Sequence, residues 1–469
     1  MADVAAIFKA YDVRGVVPDE LDEAVARATG AAFVEVLDVL SGPGAVVIGY
    51  DMRPSSPGLA AAFAEGVTST GADVVDIGLA STDQLYFASG RLQLPGAMFT
   101  ASHNPAQYNG IKMCRAGASP VGSDSGLRDI ADLVEKTLID GLSPVPVPGK
   151  VTRKNLLTAY ADHLNDLVDL SGIRPLKVVV DAGNGMGGHT VPAVFATGPV
   201  EIVPMYFELD GNFPNHEANP LDPKNLVDLQ AKVREVGADL GLAFDGDADR
   251  CFVVDEKGDP ISPSAITGAV AVRELAKHPG SAVIHNLITS KAVPELITEH
   301  GGTPVRARVG HSYIKAKMAE TDAVFGGEHS AHYYFRDFWR ADTGMLAALH
   351  VLAALGEQDK PASDLFSVYE RYVASGEVNS RVDDAAATVA AIEDTYEGRE
   401  GITVDHLDGL TVTSVTADGG QWWFNVRASN TEPLLRLNVE AADAATMERV
   451  RDEVLALITG APEVSKGTR

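Results

Sequence analysis

Residues 45–51 read Ala45-Val46-Val47-Ile48-Gly49-Tyr50-Asp51, a nearly continuous apolar run that ends in a carboxylate. A helical pattern follows at 57–69, then Gly71-Ala72, and then a second apolar run at 74–77. Glycine directly after a helix is a common stop signal. Near-continuous apolar strands that alternate with helices indicate parallel pairing in a sheet covered on both faces. This stretch therefore predicts an α/β domain.

The same order of elements recurs twice more along the chain. The later copies place their strand, helix and second strand at 177–181, 226–236 and 240–244, and at 282–284, 291–300 and 305–309. Gly237-Ala238 and Gly301-Gly302 stand after the two helices, as Gly71-Ala72 does in the first copy. A repeated unit of this kind predicts three α/β domains of similar build.

The last hundred or so residues have a different pattern. Apolar and polar residues alternate at 401–407 and 421–426, and an apolar run at 435–439 precedes a helix at 444–457. Alternation is typical of an antiparallel sheet with one solvated face. We therefore predict three similar mixed-sheet α/β domains and a smaller C-terminal α+β domain around a central cleft. The predicted domains are 1–150, 151–258, 259–374 and 375–469.

The composition excludes several classes of protein. Of the 469 residues, 45% are hydrophobic, and the formal net charge is −27. Such acidity repels nucleic acid and anionic membranes, so we expect neither as a partner. No apolar run is long enough to cross a membrane, and Met1-Ala2-Asp3-Val4 lacks the basic segment of a secretory signal. Cys114 and Cys251 are too few for a disulfide framework, so we expect reduced thiols and a cytoplasmic location.

The first loop that can carry chemistry is Thr100-Ala101-Ser102-His103-Asn104-Pro105. It follows the apolar run Ala97-Met98-Phe99 and ends at a proline, which predicts that Ser102 lies at a sharp turn after a strand. A hydroxyl in such a place can act as a nucleophile or can carry a phosphoryl group. His103 beside it suggests a basic or an orienting partner.

The second loop is Asp245-Gly246-Asp247-Ala248-Asp249-Arg250, which follows an apolar strand. Three carboxylates at alternate positions suit a hard cation with oxygen ligands, and we predict Mg²⁺ held by Asp245, Asp247 and Asp249. An EF-hand is disfavoured, because Arg250 stands where that loop needs glycine and because the flanks are strand-like. A plain solvated turn is disfavoured as well, since like charges repel unless a cation binds them. Arg250 is then placed for an anionic substrate.

Two further polar loops follow strands. Glu328, Ser330 and His332 alternate in the loop 326–332, so in extended geometry they point to one side and can bind adjacent sugar hydroxyls. An ordinary polar turn is an equal alternative for this loop. The loop 427–433 offers a cation, two hydroxyls and an amide, which suit a phosphate. Its candidate ligands are Arg427, Ser429, Asn430 and Thr431.

In this order and spacing, the four loops resemble those of the α-D-phosphohexomutase superfamily over nearly the whole chain, from Tyr11 to about Leu457. Tyr11-Asp12-Val13-Arg14-Gly15 resembles a further family motif. The Glu-His-Ser of the third loop, with Tyr333-Tyr334-Phe335 after it, is similar to the bacterial phosphomannomutase/phosphoglucomutase group. Ala331 stands where that group commonly has glycine.

The resemblance implies a mutase that moves phosphate between C6 and C1 of mannose, and also of glucose. Ser102 would be a catalytic phosphoserine that shares Mg²⁺ with the three aspartates, and a hexose 1,6-bisphosphate would be the intermediate and activator. Glu328, Ser330, His311 and Arg250 would bind the sugar phosphate together with the Arg427 loop. The general base would be Lys112, His332 or His103, with assistance from Arg14. Hexose phosphates would be the partners, and the protein would be a monomer or a homodimer.

Three other functions stay open at the level of sequence. Phosphoglucosamine mutase is the nearest enzymatic alternative. An aspartyl-phosphate enzyme would use Asp245 or Asp247 as its nucleophile and leave Ser102 without a catalytic role. A sugar-phosphate binding protein without turnover would retain the four loops and transfer no phosphate.

Overall fold

The computed structural model describes residues 3–143, 145–415, 421–428 and 434–460. Within these ranges the chain forms four sheets in succession, each with helices packed on it. Three of the sheets mix parallel and antiparallel strands, and the fourth is antiparallel throughout. The predicted fold class is confirmed.

The first sheet has the strand order β1-β5-β4-β2-β3-β7, with β6 paired to β5. Its strands are β1 (Val13–Val16), β2 (Ala45–Tyr50), β3 (Asp73–Leu79), β4 (Gly96–Phe99), β5 (Tyr108–Arg115), β6 (Ser119–Pro120) and β7 (Val151–Arg153). Its helices are α1 (Val4–Ile7), α2 (Glu23–Val36), α3 (Ser56–Ser69), α4 (Thr82–Leu92) and α5 (Arg128–Asp140). Strand β7 pairs with β3 in this sheet, although it lies just beyond the predicted boundary at residue 150.

The second sheet has the order β12-β11-β10-β8-β9. Its strands are β8 (Leu176–Asp181), β9 (Val200–Met205), β10 (Leu240–Phe244), β11 (Cys251–Asp255) and β12 (Pro260–Ile261). Its helices are α6 (Leu157–Leu167), α7 (Gly187–Val194) and α8 (Val227–Val236).

The third sheet has the order β14-β13-β15-β16-β17. Its strands are β13 (Ala282–Asn286), β14 (Thr303–Ala307), β15 (Phe325–Gly327), β16 (Tyr333–Phe335) and β17 (Ala341–Asp342). Its helices are α9 (Pro263–Lys277), α10 (Ala292–Glu299), α11 (His311–Thr321), α12 (Gly344–Gly356) and α13 (Ala362–Ser367).

The fourth sheet has the order β18-β22-β21-β20-β19. Its strands are β18 (Val373–Arg381), β19 (Ile402–Asp405), β20 (Leu410–Val415), β21 (Gln421–Ala428) and β22 (Leu434–Ala441). Its helices are α14 (Ala385–Tyr396) and α15 (Ala444–Thr459).

The first three sheets share one plan, which is the structural counterpart of the sequence repeat. In each, at least two parallel strand pairs are continued by an antiparallel hairpin: β4–β5, β10–β11 and β15–β16. The central strand of each sheet therefore ends in a hairpin loop, and these loops carry Ser102, the aspartates and Glu328. In the fourth sheet, β21 and β22 form the corresponding hairpin.

The apolar core divides unequally among the sheets. One buried cluster runs continuously through the first three, and residues such as Leu85, Tyr160 and Phe338 join them. The fourth sheet encloses a separate cluster with α14 and α15, and Trp423 packs with Leu287 and Ile288 in a small cluster against the third. The shared cluster joins the first three units through buried apolar area, and the Trp423 cluster joins the fourth unit to the third. No helix in the described part of the chain is both long and apolar enough to span a bilayer.

Candidate active site

Three hairpin loops, far apart in sequence, meet at one point. The Ser102 hydroxyl in the β4–β5 loop donates a 2.7 Å hydrogen bond to Asp245 Oδ2 in the β10–β11 loop. An isolated antiparallel bridge joins Arg250, at the end of that loop, to His332 in the β15–β16 loop. Because the three sheets share one plan, each loop lies at the equivalent end of its own sheet. The convergence of the loops therefore follows from the fold.

Ser102 has an unusual backbone conformation. Its φ is +48°, in the left-handed region that residues other than glycine seldom adopt. Its amide donates to Thr100 Oγ1 at 2.9 Å. Opposite it, a Cβ on Gly246 would lie only 2.3 Å from the Ser102 carbonyl oxygen. Glycine at 246 is therefore required for the serine and aspartate loops to approach this closely.

The three aspartates form a buried cluster. Asp245, Asp247 and Asp249 have ligand oxygens within 4.8 Å of one another, and their side chains are at most 1% exposed. Among the described residues, Asp247 Oδ1 and Asp249 Oδ1 are buried without a hydrogen-bond partner. Buried carboxylate oxygens need a compensating charge or donor. The cluster therefore fits a hard divalent cation with oxygen ligands, as the sequence predicts for Mg²⁺.

Lys112 lies on β5 and faces two of these carboxylates. Its ammonium is 2.7 Å from Asp247 Oδ2 and 2.6 Å from Asp249 Oδ2. Burial alone would lower the pKa of Lys112, but the charges of Asp247 and Asp249 outweigh it and raise that pKa well above its ordinary value. For Asp247 the balance is reversed: burial would raise its pKa, and the Lys112 ammonium holds it well below the ordinary value. In this arrangement the Lys112 ammonium forms ion pairs with both aspartates.

Arg250 links the serine, its neighbouring histidine and the metal loop. Its Nη2 donates to Asp245 Oδ2 at 2.8 Å and to His103 Nδ1 at 2.5 Å, and lies 3.3 Å from Ser102 Oγ. His103 Nδ1 itself lies 3.3 Å from Ser102 Oγ. Burial, and next the charge of Arg250, hold the pKa of His103 well below its usual range. His103 is thus a neutral ring that accepts from Arg250, which favours an orienting role.

Glu328 is almost fully buried, with its carboxylate already bound by protein donors. Oε1 accepts from Asn286 Nδ2 and from the Gly310 amide, each at 3.1 Å, and Oε2 accepts from the Tyr334 hydroxyl at 2.7 Å. Since a carboxylate has about four acceptor sites, capacity remains for a sugar hydroxyl. Ala331 has a φ of +65°, a conformation in which glycine is the less strained choice.

The remaining residues of the predicted sugar site lie close by. Ser330 Oγ is 3.0 Å from His332 Nδ1, and His332 Nε2 is 3.7 Å from Asp249 Oδ1. His311 begins α11, and its ring lies 4.9 Å from that of Tyr11. Burial, with the charge of Lys315, lowers the pKa of His311 to about 3, so the ring is neutral at ordinary pH.

Arg14, on β1, also contacts the serine loop. Its Nη1 donates to the Ala101 carbonyl at 2.8 Å and to the Asn104 side chain, and Nη2 pairs with Asp12. The guanidinium therefore adds positive charge beside the residues that flank Ser102.

Of the predicted phosphate loop, the structure describes Arg427 at its start. Arg427 Nη2 lies 3.4 Å from Glu377 Oε2 on β18, and Arg436 Nη1 lies 3.6 Å from the other oxygen of Glu377. Ser429, Asn430 and Thr431 lie outside the described residues.

Three further residues, Thr82, Asp51 and Arg53, support the site and were not predicted from the sequence. Thr82, at the start of α4, donates its hydroxyl to Asp247 Oδ2 at 2.5 Å. Asp51 and Arg53 follow β2, and Arg53 is fully buried against the serine loop. Their position at the carboxyl end of a parallel strand next to β4 was an available signal. Nothing in the sequence around Thr82 marks it.

The glycine-rich turn after β8 has a structural role. The Met186 amide donates to the Gly246 carbonyl at 2.9 Å, and a Cβ on Gly185 would lie 2.7 Å from the same oxygen. The turn therefore supports the metal loop from behind, as a tight turn after a strand.

Comparison with known proteins identifies the family of this chain. The chain matches all four domain families described as phosphoglucomutase/phosphomannomutase: alpha/beta/alpha domain I at residues 5–138, domain II at 158–258, domain III at 263–372 and the C-terminal domain at 377–457.

Relatives cover almost the full length. The chain is 43% identical to the phosphohexose mutases of Xanthomonas campestris pv. campestris, over 97% of this chain and 99% of that protein. It is 41% identical to the phosphomannomutase of Escherichia coli K12, over 96% of this chain and 98% of that one. A crystal structure of a phosphoglucomutase/phosphomannomutase family protein from Burkholderia thailandensis superposes with a TM-score of 0.87 at 32% identity, with 99% of both chains covered.

Proposed function

The chain belongs to the phosphoglucomutase/phosphomannomutase family, and on that basis we propose that it interconverts mannose 6-phosphate and mannose 1-phosphate, and also glucose 6-phosphate and glucose 1-phosphate. It is an isomerase that moves a phosphoryl group within one sugar. The contact that carries the proposal is the hydrogen bond from Ser102 to Asp245 inside a buried carboxylate cluster.

Ser102 is the phosphoryl donor in the proposed reaction. The free hydroxyl oxygen of a hexose monophosphate attacks the phosphorus on Ser102 Oγ. A new O–P bond forms, the bond from Oγ to phosphorus breaks, and the hydroxyl proton passes to a base. The product is a hexose 1,6-bisphosphate. After this intermediate turns over in the site, its other phosphoryl group returns to Ser102, and the net change is a move between C6 and C1.

Asp245, Asp247 and Asp249, together with an oxygen on Ser102, are the residues that would hold Mg²⁺. Bound there, the ion would supply positive charge against the negative charge that develops on the transferring phosphoryl group. Arg250 and Lys112 add fixed positive charge at the same point, since both contact the aspartates directly. A preorganised charge of this kind stabilises a phosphoryl transfer without rearrangement during the step.

The sugar phosphate is anchored at two places in this proposal. Its existing phosphate binds Arg427 together with Ser429, Asn430 and Thr431, because a guanidinium and hydroxyls form charge-assisted hydrogen bonds to phosphate. Glu328 and Ser330 bind ring hydroxyls, and His311 lines the same pocket. Such positioning supplies much of the rate in a reaction whose covalent step is simple.

For the proton acceptor we propose His332. It lies between the sugar loop and the metal loop, with Nδ1 near Ser330 and Nε2 near Asp249. Lys112 carries its proton on two carboxylates, and His103 accepts from Arg250, so neither suits this role as well. Arg14 assists by its charge.

The test of substrate is a side-by-side assay with mannose 1-phosphate, glucose 1-phosphate and glucosamine 1-phosphate, each primed with glucose 1,6-bisphosphate. We expect turnover of the mannose and glucose compounds. A preference for glucosamine 1-phosphate would replace the proposal by phosphoglucosamine mutase.

A second measurement tests the phosphoserine. Peptide mass spectrometry after incubation with glucose 1,6-bisphosphate is expected to find one phosphate on the Ser102 peptide. Absence of both this phosphate and any turnover would favour a sugar-phosphate binding protein.

We also propose that the protein is a monomer or a homodimer and that it is cytoplasmic. Light scattering tests the oligomeric state, and cell fractionation tests the location.

A further inference from the structure

Arg53 is a fully buried arginine next to the serine loop, and it does not touch the reacting hydroxyl. Its Nη1 donates to the carbonyls of Pro105 at 2.9 Å and Tyr108 at 3.0 Å. Its Nη2 donates to the carbonyls of Ser102 at 3.0 Å and Asn104 at 2.7 Å. One guanidinium therefore binds four main-chain oxygens of a single loop.

The arginine is itself held from two sides. Asp51, equally buried, lies 3.3 Å from Arg53 Nε and accepts from the Arg53 amide at 3.0 Å. From the second domain, the ring of Phe213 lies 5.0 Å from the guanidinium carbon. A Cβ on Gly211 would lie 2.5 Å from Arg53 Cα, so that segment packs directly on the arginine backbone. These contacts restrict the guanidinium from two sides.

The loop needs such a restraint because of its backbone. Buried carbonyls require donors, and the left-handed φ of Ser102 persists only where surrounding contacts enforce it. Arginine suits this task, since it presents five donors in a rigid planar fork, whereas lysine has three on one flexible atom. If the loop relaxed, Ser102 Oγ would move away from Asp245.

We propose that Arg53 is a positioning residue for phosphoryl transfer: it clamps the main chain of residues 102–108 and so fixes Ser102 Oγ against the aspartate cluster. This inference rests on the proposed function of Ser102. It differs from the roles of Arg14 and Arg250, because Arg53 acts through main-chain carbonyls alone on the loop.

The experiment compares Arg53→Lys and Arg53→Ala with wild type. Rapid-quench measurement follows loss of labelled phosphate from phospho-Ser102 to sugar phosphate, and steady-state assays give kcat and KM. We expect kcat and the transfer rate of Arg53→Ala to fall about 100-fold, the scale expected for a misplacement of about 1 Å. KM should change by less than about 3-fold, because the substrate contacts remain. Arg53→Lys should lie between the two.

Added guanidinium ion separates positioning from general stability. It should enter the space left in Arg53→Ala and restore part of kcat. The matched control is Arg174→Ala, which removes an arginine that pairs with Asp239 and the Gln358 carbonyl far from the serine loop. The control should lose stability, keep the wild-type transfer rate and show no rescue by guanidinium.

The outcomes distinguish this inference from the proposed function. Absence of transfer in wild type contradicts the proposed function. In that case hydrogen exchange of the amides of residues 101–104 and 106–108 still tests whether Arg53 restrains the loop. Equal protection in wild type and Arg53→Ala overturns the inference. If the wild type is active, the inference is also overturned when Arg53→Ala folds and transfers phosphate at the wild-type rate. If neither Arg53 variant folds, Asp51→Asn decides: it should lower kcat and loosen the loop, and an unchanged kcat overturns the inference.

Discussion

Ser102 donates its hydroxyl to Asp245 over 2.7 Å, although 143 residues separate them along the chain. The contact places the Ser102 hydroxyl against a cluster of buried carboxylates. A phosphoryl group on this oxygen would add negative charge to an acidic site, and such a group is tolerated only where cations offset it. Lys112 and Arg250 lie on these aspartates, and the proposed divalent cation would add to their positive charge. Phosphorylation of Ser102 and cation binding should therefore depend on each other.

Ser102→Ala should abolish mutase activity. Loss of the group that carries the phosphoryl is expected to lower kcat by about 10⁴-fold or more, since knockouts of a catalytic nucleophile have effects on that scale. The assay is conversion of mannose 1-phosphate primed with glucose 1,6-bisphosphate.

Ser41→Ala, an exposed serine of the same domain, is the control and should be fully active. Near wild-type turnover by Ser102→Ala would instead support an aspartyl-phosphate enzyme with Asp245 or Asp247 as the nucleophile.

Thr82→Val should weaken cation binding. The Thr82 hydroxyl donates to Asp247 Oδ2, and its amide donates to the Asp247 carbonyl at 3.0 Å, so the residue orients a predicted ligand. Loss of a residue that supports a metal ligand typically costs 10- to 100-fold in affinity, and we expect about that reduction for Mg²⁺ by titration calorimetry.

Thr70→Val is the matched control, because the Thr70 hydroxyl bonds to the Val67 carbonyl at the end of α3. It should leave Mg²⁺ affinity unchanged. Equal affinities in Thr82→Val and wild type would show that Asp247 is not oriented by Thr82, or that it does not bind the ion.

The fold and the loops could be predicted from sequence because their signals are local. The apolar runs before Asp51, Asp181 and Asp245 mark buried strands, and the glycines after the helices mark their ends. The carboxylates at alternate positions in the metal loop are likewise visible in six consecutive residues. The repeat further indicates that the loops occupy equivalent places.

The contacts that support the site could not be predicted, because they join distant segments, although the place of Asp51 and Arg53 at the end of a parallel strand was a signal. Thr82 reaches Asp247 across 165 residues, and Arg53 reaches the serine loop across about 50. Lys112 shows the same limit: the family resemblance implies that it is a candidate base, but only the fold shows its contacts with Asp247 and Asp249. The domain boundaries and the roles of the site residues stay predictions.

Arg427→Ala should raise KM for the sugar phosphate more than it lowers kcat. A hydrogen bond to a charged group contributes about 1.5–3 kcal/mol, which corresponds to an increase in KM of about 10- to 150-fold. Steady-state kinetics with glucose 1-phosphate measures it. Arg449→Ala, which removes an exposed ion pair with Glu453 on α15, is the control and should leave KM unchanged. An unchanged KM in Arg427→Ala would remove this residue from the phosphate site.

Asp83 forms a buried junction among the first three domains. Its Oδ2 accepts from the Tyr160 hydroxyl of α6 and from Thr343 Oγ1 at the start of α12, each at 2.7 Å, and Ser81 donates to its other oxygen. Burial raises the pKa of Asp83 to about 6, although the three hydroxyl donors oppose the shift.

Stability should therefore fall as the pH rises from about 4 to about 6, relative to a variant without this carboxyl. The folded protein holds the Asp83 proton up to about pH 6, whereas the unfolded chain releases it near the ordinary value of 3.8. Because the folded state binds more protons in that window, the free energy of unfolding decreases with pH, by about 3 kcal/mol for a shift of this size.

Asp83→Asn keeps an oxygen acceptor for the hydroxyls and cannot titrate. Denaturant unfolding of wild type and Asp83→Asn at several pH values between 4 and 7 should show curves that diverge as the pH rises, with the wild type losing stability. Parallel curves would mean that Asp83 is ionised throughout this range in the folded protein.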